Sequence, residues 1–159
     1  VAIGRERFWR QGELPCHKIY EDDLVLAYLD KVDQAWFAQL RAAARAAGDD
    51  PREQLVGMFD ALVSACRREG FHGCAFINAA AETNAGSEIH ARTVEHKAVV
   101  RAWVVDLAQR AGARDPQMLA RQITLLVDGG LAAGVLDADP AAAEAAKQAA
   151  GALVDEACR

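Results

Sequence analysis

The stretch DPREQLVGMFDALVSACRREG, residues 50–70, carries the grammar on which the fold depends. Asp50 can accept a hydrogen bond from an orphan N–H at a helix N-cap, and Pro51 suits the next position because its missing donor would be unpaired there anyway. Glu53, three residues on, resembles the second half of a capping box. Leu55, Phe59, Leu62 and Cys66 then recur at helical spacing, with Val56, Met58 and Val63 widening the stripe. Gly70 closes the segment, since glycine reaches the left-handed cap conformation cheaply. The pattern predicts an amphipathic helix from Pro51 to Glu69.

The same punctuation recurs at Asp115-Pro116 and Asp139-Pro140, and Gly48 and Gly112 stop the helices ahead of Asp50 and Asp115. Six helices follow: about 22–47, 51–69, 74–83, 87–111, 116–134 and 140–157. Connections are short, as compact helical domains prefer, and no strand, repeat or low-complexity linker is visible. The expected fold is all-α. Composition agrees: 52% of the 159 residues are hydrophobic and 6% aromatic, with alanine dominant, which favours closely packed helices. The length fits one domain, or one domain with a short appendage.

Net charge is −5, so any nucleic-acid contact must come from a local basic patch. No stretch approaches the roughly 20 uninterrupted apolar residues of a membrane span, and no signal-peptide pattern opens the chain. Cys16, Cys66, Cys74 and Cys158 are scattered without C-x-x-C pairing and read as buried or free thiols of a cytoplasmic protein.

The last two helices differ in texture. The fifth carries Leu119, Ile123, Leu126, Gly130 and Ala133. The sixth carries a strip of small residues that includes Ala142, Ala145, Ala146, Ala149 and Ala152, with Leu153 beside it. Small residues let helices approach closely, and the Gly129-Gly130 pair sacrifices about 1 kcal/mol per glycine of helix propensity. A dimer interface built from Leu119, Ile123, Leu126, Gly130, Ala145, Ala149 and Leu153 is expected; a plain bundle within one chain is the simpler alternative.

Residues 73–82 (GCAFINAAAE), followed by His96-Lys97, Val100-Arg101-Ala102-Trp103, Leu119-Ala120-Arg121-Gln122 and Leu125-Leu126-Val127-Asp128-Gly129, resemble a signature of tetracycline-repressor-type (TetR-family) transcriptional regulators. Upstream, DDLVLAYL at 22–29 resembles the start of the long helix that follows the DNA-binding headpiece in that family. The resemblance covers about residues 21–157. It implies a helix-turn-helix headpiece at the N-terminus and a helical C-terminal domain for effector binding and dimerisation. The last two helices of each subunit would form a four-helix bundle across the two-fold axis.

The headpiece departs from the family pattern. A helix-turn-helix module needs on the order of 45 residues, whereas about twenty precede Asp22. Residues 1–20 therefore read as a truncated or incomplete remnant of the headpiece, and 21–159 as the ligand-binding and dimerisation domain. Either a piece is missing between two recognisable fragments, or the protein lacks a working headpiece. Arg7-Phe8-Trp9-Arg10 resembles the end of the family's first helix, and His17-Lys18 the segment after its recognition helix, although Leu14-Pro15 sits where a helix should run. Arg7, Arg10, His17 and Lys18 are the candidate DNA contacts; a solvated helix face would look the same.

The expected partners are a second copy, operator DNA if the headpiece is complete, and a small, largely apolar effector. Met58, Phe59, Phe76 and Trp103 are the bulky residues expected to wall a cavity, although such stripes are more often plain core. Trp36 and Phe37 could face the cavity or the headpiece junction. Asn78 and Glu82 share one helix face, so Asn78 either presents a hydrogen bond to the ligand or holds a neighbouring helix. His96 falls on the apolar stripe with Val100 and Trp103, as an effector contact or a core histidine. His90 and His96 lie about 240° apart around a helix and cannot clamp one metal. No metal site or cofactor is expected. Cys66 or Cys74 could act as a thiol sensor, or simply be packed. With no phosphate loop, nucleophile elbow or H-E-x-x-H, an enzyme is not expected. The runner-up function is a stand-alone helical dimer that binds a small molecule and no DNA.

Overall fold

The computed structural model describes the backbone of residues 15–159 and the side chains from residue 21 onward. Among the described residues the fold is all-α, in seven helices: α1 (Pro15–Ala46), α2 (Pro51–Gly57), α3 (Phe59–Cys66), α4 (Ala75–Glu82), α5 (Glu88–Arg110), α6 (Pro116–Leu136) and α7 (Ala141–Ala157).

Asp50 and Asp115 cap α2 and α6 as the sequence suggests, while at the third Asp-Pro signal Pro140 itself takes the N-cap position of α7. The carboxylates of Asp50, Asp115 and Asp139 accept from the N–H groups of Arg52, Met118 and Ala141 at 2.9, 2.9 and 2.8 Å. Ser87 caps α5 by accepting from the N–H of His90 at 3.1 Å. At its other end α5 closes in a Schellman turn: Ala113 N–H reaches Ala108 C=O, Gly112 N–H reaches Gln109 C=O, and Gly112 takes φ +76°.

Three expectations needed correction. The first helix is already formed at Pro15, the first described residue, and so begins ahead of Asp22. The helix predicted over 51–69 is two segments that meet at Met58. Gly57 lies at the break: a Cβ there would stand 2.2 Å from the Cβ of Ala47, just past the end of α1, and 3.4 Å from Ala43 C=O, a distance only glycine permits. The chain tightens past this contact, with Ala61 N–H bonding back to Met58 C=O. The capping box is not formed either, because Asp50 takes the N–H of Arg52 and the Glu53 carboxylate lies against Gly48.

The main core joins α2 and α3 to α5, α6 and α7 through Leu55, Phe59, Leu62, Val104, Leu107, Ile123 and Val154, all at most 1% exposed. A second, smaller cluster of Leu29, Phe76 and Ile89 fills the space between α1, α4 and the start of α5. By length and composition α6 could cross a membrane. Its Leu119, Ile123, Val127 and Leu131 are instead buried in the core, and Arg121 and Asp128 interrupt it. Arg52, at the start of α2, donates to Ala111 C=O and Cys158 C=O at 3.3 and 2.7 Å. One guanidinium thereby serves carbonyls at the C-terminal ends of both α5 and α7, where a cation is favoured.

Candidate functional site

Between the two cores lies a cavity of about 160 Å³. One wall is α1, which presents Tyr28, Val32 and Trp36 at four-residue spacing; Phe71, Phe76 and Leu131 face them from the loop after α3, from α4 and from α6. The walls are mostly apolar, with a few polar groups at the edge, as ligand cavities are. Among the described residues of the lining Arg68 carries the one formal charge, and its Nη2 donates to the side-chain oxygen of Gln39 at 2.5 Å.

Behind Phe76 stands a polar network that ties α1 to α5. The ring of His96, 2% exposed, stacks on Phe76 at a centroid distance of 3.7 Å and an interplanar angle of 4°. Its Nδ1 meets Asp33 Oδ1 at 2.7 Å. Arg92 donates through Nη2 to Asp33 Oδ2 at 2.5 Å and through Nε to Asp30 Oδ1 at 2.7 Å. Burial pushes the His96 pKa below its usual 6.5, even though Asp33 pulls it upward. The ring is therefore neutral near pH 7, with Nδ1–H donating to Asp33. Burial alone would raise the Asp33 carboxyl, but the bonds from Arg92 and His96 outweigh it and hold the group below 3.8. Asp33 in turn raises Arg92 further.

A second pair lies beside the cavity. Lys97 on α5 pairs with Asp128 on α6, and its ammonium also lies 3.7 Å from Cys74 Sγ. Cys74 lines the cavity, whereas Cys66 is half-buried and burial raises its thiol pKa, which works against a reactive thiolate there. Among the described residues no group of three His, Cys, Asp or Glu side chains could hold a metal ion.

Of the six residues expected at a ligand, Phe76 lines the cavity and His96 packs directly behind it. Met58 and Phe59 are fully buried in the main core and do not reach it. Trp103 packs edge-on against Phe37 at 5.5 Å, away from the cavity, because its position on α5 turns it toward the middle of α1. Asn78 is exposed and donates to His72 C=O at 2.9 Å, so it pins the loop before α4. Sequence reasoning did not single out Tyr28, Val32, Arg68 or Phe71. The i, i+4, i+8 series Tyr28, Val32, Trp36 was a usable signal. Asp33 and Arg92 were hidden, since a charged residue on a long helix reads as solvated until its partner is located.

Of the seven residues expected at a dimer interface, Leu119, Ile123 and Gly130 are buried within this chain. A Cβ at Gly130 would lie 3.2 Å from that of Ala146, so the close crossing anticipated there joins α6 to α7 of the same protomer. Leu126 and Leu153 are half-buried, while Ala145 and Ala149 are exposed. The outward side of α6 carries Met118 and Leu125, 52% and 68% exposed, and Leu136. Arg7 and Arg10 lie outside the described residues; the backbone of His17 and Lys18 belongs to α1, but their side chains lie outside the description.

No family model and no curated protein matches the chain. Solved structures do. A TetR-family transcriptional regulator from Streptomyces coelicolor is similar with a TM-score of 0.79 and 31% identity, over 87% of this chain and 73% of that one. A protein from Streptomyces avermitilis, described as a TetR transcriptional regulator, is similar with a TM-score of 0.75 and 27% identity, over 89% and 79% of the two chains.

Proposed function

This chain belongs to the TetR family of transcriptional regulators, and from that premise we propose that it is a ligand-responsive repressor that binds operator DNA as a homodimer in the cytoplasm. A small, largely apolar effector releases it. Like the family, it is not an enzyme.

The observation that carries the reading is the cavity's use of α1 as a wall. Tyr28, Val32 and Trp36 project from the helix on whose N-terminal side a headpiece would sit. A ligand between that helix and the body presses on α1 directly. It shifts the population between DNA-competent and DNA-incompetent dimers to the extent that it binds one better than the other. Arg92 and His96 fasten α1 to α5 through Asp33, and His96 stacks on Phe76 of the cavity wall, so a shift of α1 is coupled to that wall.

The dimer would form on the outward faces of α6 and α7. Met118, Leu125 and Leu136 on α6 support this, with Ala145, Ala149 and Ala152 on α7 giving a smooth surface beside them. Leu126 and Leu153 would sit at the edge of that interface, and Leu119, Ile123 and Gly130 would support it from beneath. The headpiece contacts would fall to the basic residues Arg7, Arg10, His17 and Lys18.

Selection from a pool of randomised duplexes with the full chain as it occurs in the cell tests this. An enriched inverted repeat, bound with an affinity that falls steeply with salt, is the expected result. Absence of any duplex binding at low salt would overturn the repressor and leave a small-molecule-binding helical protein.

A further inference from the structure

We propose that the effector is a small aromatic acid: one ring held against Trp36, Phe71 and Phe76, with its carboxylate on Arg68. The proposal rests on the reading of this cavity as the effector site and names the chemistry that the site selects.

Size comes first. The cavity measures about 160 Å³. An apolar cavity of roughly 150 Å³ accepts benzene, and drug-sized ligands take about 300 Å³ or more. The inner space therefore fits one ring, and a substituent on it reaches toward the outer groove of about 460 Å³ that shares Tyr28, Arg68 and Phe71. Shape follows from the walls, since aromatic side chains from α1, the loop after α3 and α4 offer ring faces and edges to a flat guest.

Charge decides the substituent. Among the described residues Arg68 is the only charged one lining the cavity, and it also lines the outer groove that continues past Tyr28. It therefore stands at the mouth. Its bonded neighbour is the neutral amide of Gln39, and among the described residues no carboxylate lies within ion-pair distance of it. A guanidinium has five donors, so the bond to Gln39 orients it and leaves donors for a planar carboxylate. The nearby ammonium of Lys97 is paired with Asp128 and does not line the cavity. Glu69 and Glu82 line the outer groove but not the cavity. They disfavour multiply charged guests on the approach, which selects a monocarboxylate over a phosphate.

The test is calorimetric titration of the full chain with benzoate and with its neutral isostere benzamide, for wild type, Arg68→Gln and Arg67→Gln. Arg67 is an exposed neighbour that pairs with Glu144 and does not line the cavity. Benzoate should bind wild type and Arg67→Gln alike, about three- to fivefold tighter than benzamide. Arg68→Gln should weaken benzoate by about the same factor while leaving benzamide unchanged. Because Arg68 is exposed, the variant should melt within a few degrees of wild type without ligand. Benzamide binding as tightly as benzoate, or benzoate indifferent to Arg68→Gln, overturns the acid and leaves the cavity as a site for a neutral ring. Absence of binding by both compounds, with no rise in melting temperature at millimolar concentration, overturns the acid and the cavity's role together.

Discussion

Replacing Arg92 by Met keeps most of the side-chain stem and removes the guanidinium that joins α5 to two carboxylates of α1. The bond to Asp30, 59% exposed, is worth at most about 1 kcal/mol. The bond to Asp33 is the larger one, since Arg92 and Asp33 are only 19% and 21% exposed and a hydrogen bond between charged groups contributes about 1.5–3 kcal/mol. Once Arg92 is lost, the Asp33 carboxylate keeps only His96. The expected destabilisation is about 2–3 kcal/mol. In a urea titration with a slope of about 2 kcal/mol per molar, the midpoint should fall by about 1 M. The acid limb should move as well. Asp33 is held below 3.8 in the folded protein, so its contribution is full above that value and is lost as pH falls through the folded pKa. Without Arg92 the folded pKa rises, and acid unfolding begins at higher pH. A double-mutant cycle with Asp33→Asn should show a coupling of about 1 kcal/mol or more. A loss below about 0.5 kcal/mol, or one equally large in the Asp33→Asn background, would refute the account of this network.

Three further outcomes follow from the same structure. The folded protein keeps His96 neutral below its usual 6.5, while the unfolded chain takes up a proton there; stability should therefore be full above 6.5 and decline below it, and urea midpoints of His96→Gln should lack that component. One chemical change should act with opposite sign at two helical glycines. Gly57→Ala should destabilise by about 1–3 kcal/mol because its Cβ meets Ala47, and Gly151→Ala should stabilise by up to about 1 kcal/mol because nothing lies within 4 Å, as thermal melting would register. Leu125→Glu, on the outward face of α6, should shift sedimentation equilibrium from dimer to monomer with an unchanged far-UV spectrum.

Local chemistry made the fold legible. Asp-Pro caps, a Schellman glycine and apolar periodicity act over four to seven residues, and each is visible in the chain itself. The break at Met58 was not, because the close approach of Ala47 to Gly57 beside it is a tertiary contact that helical spacing does not show. The cavity was half legible for a related reason: helical spacing shows which residues share a face but not which face meets which. Phe76, expected for its bulk, lines the cavity, and His96, expected from its place on the apolar stripe of α5, stacks behind it. Met58, Phe59 and Trp103 share their size and apolarity but point into other spaces. Arg68 sits just past the end of α3, where periodicity gives no information about its direction.

The central claim is that occupancy of the cavity governs DNA binding. It is tested most directly by measuring the full chain's affinity for its selected duplex with and without the single-ring compound that raises its melting temperature most. The account predicts that the compound weakens duplex binding by about tenfold or more, and that the duplex weakens the compound's binding by the same factor, as linkage requires. An unchanged duplex affinity at saturating compound would contradict it.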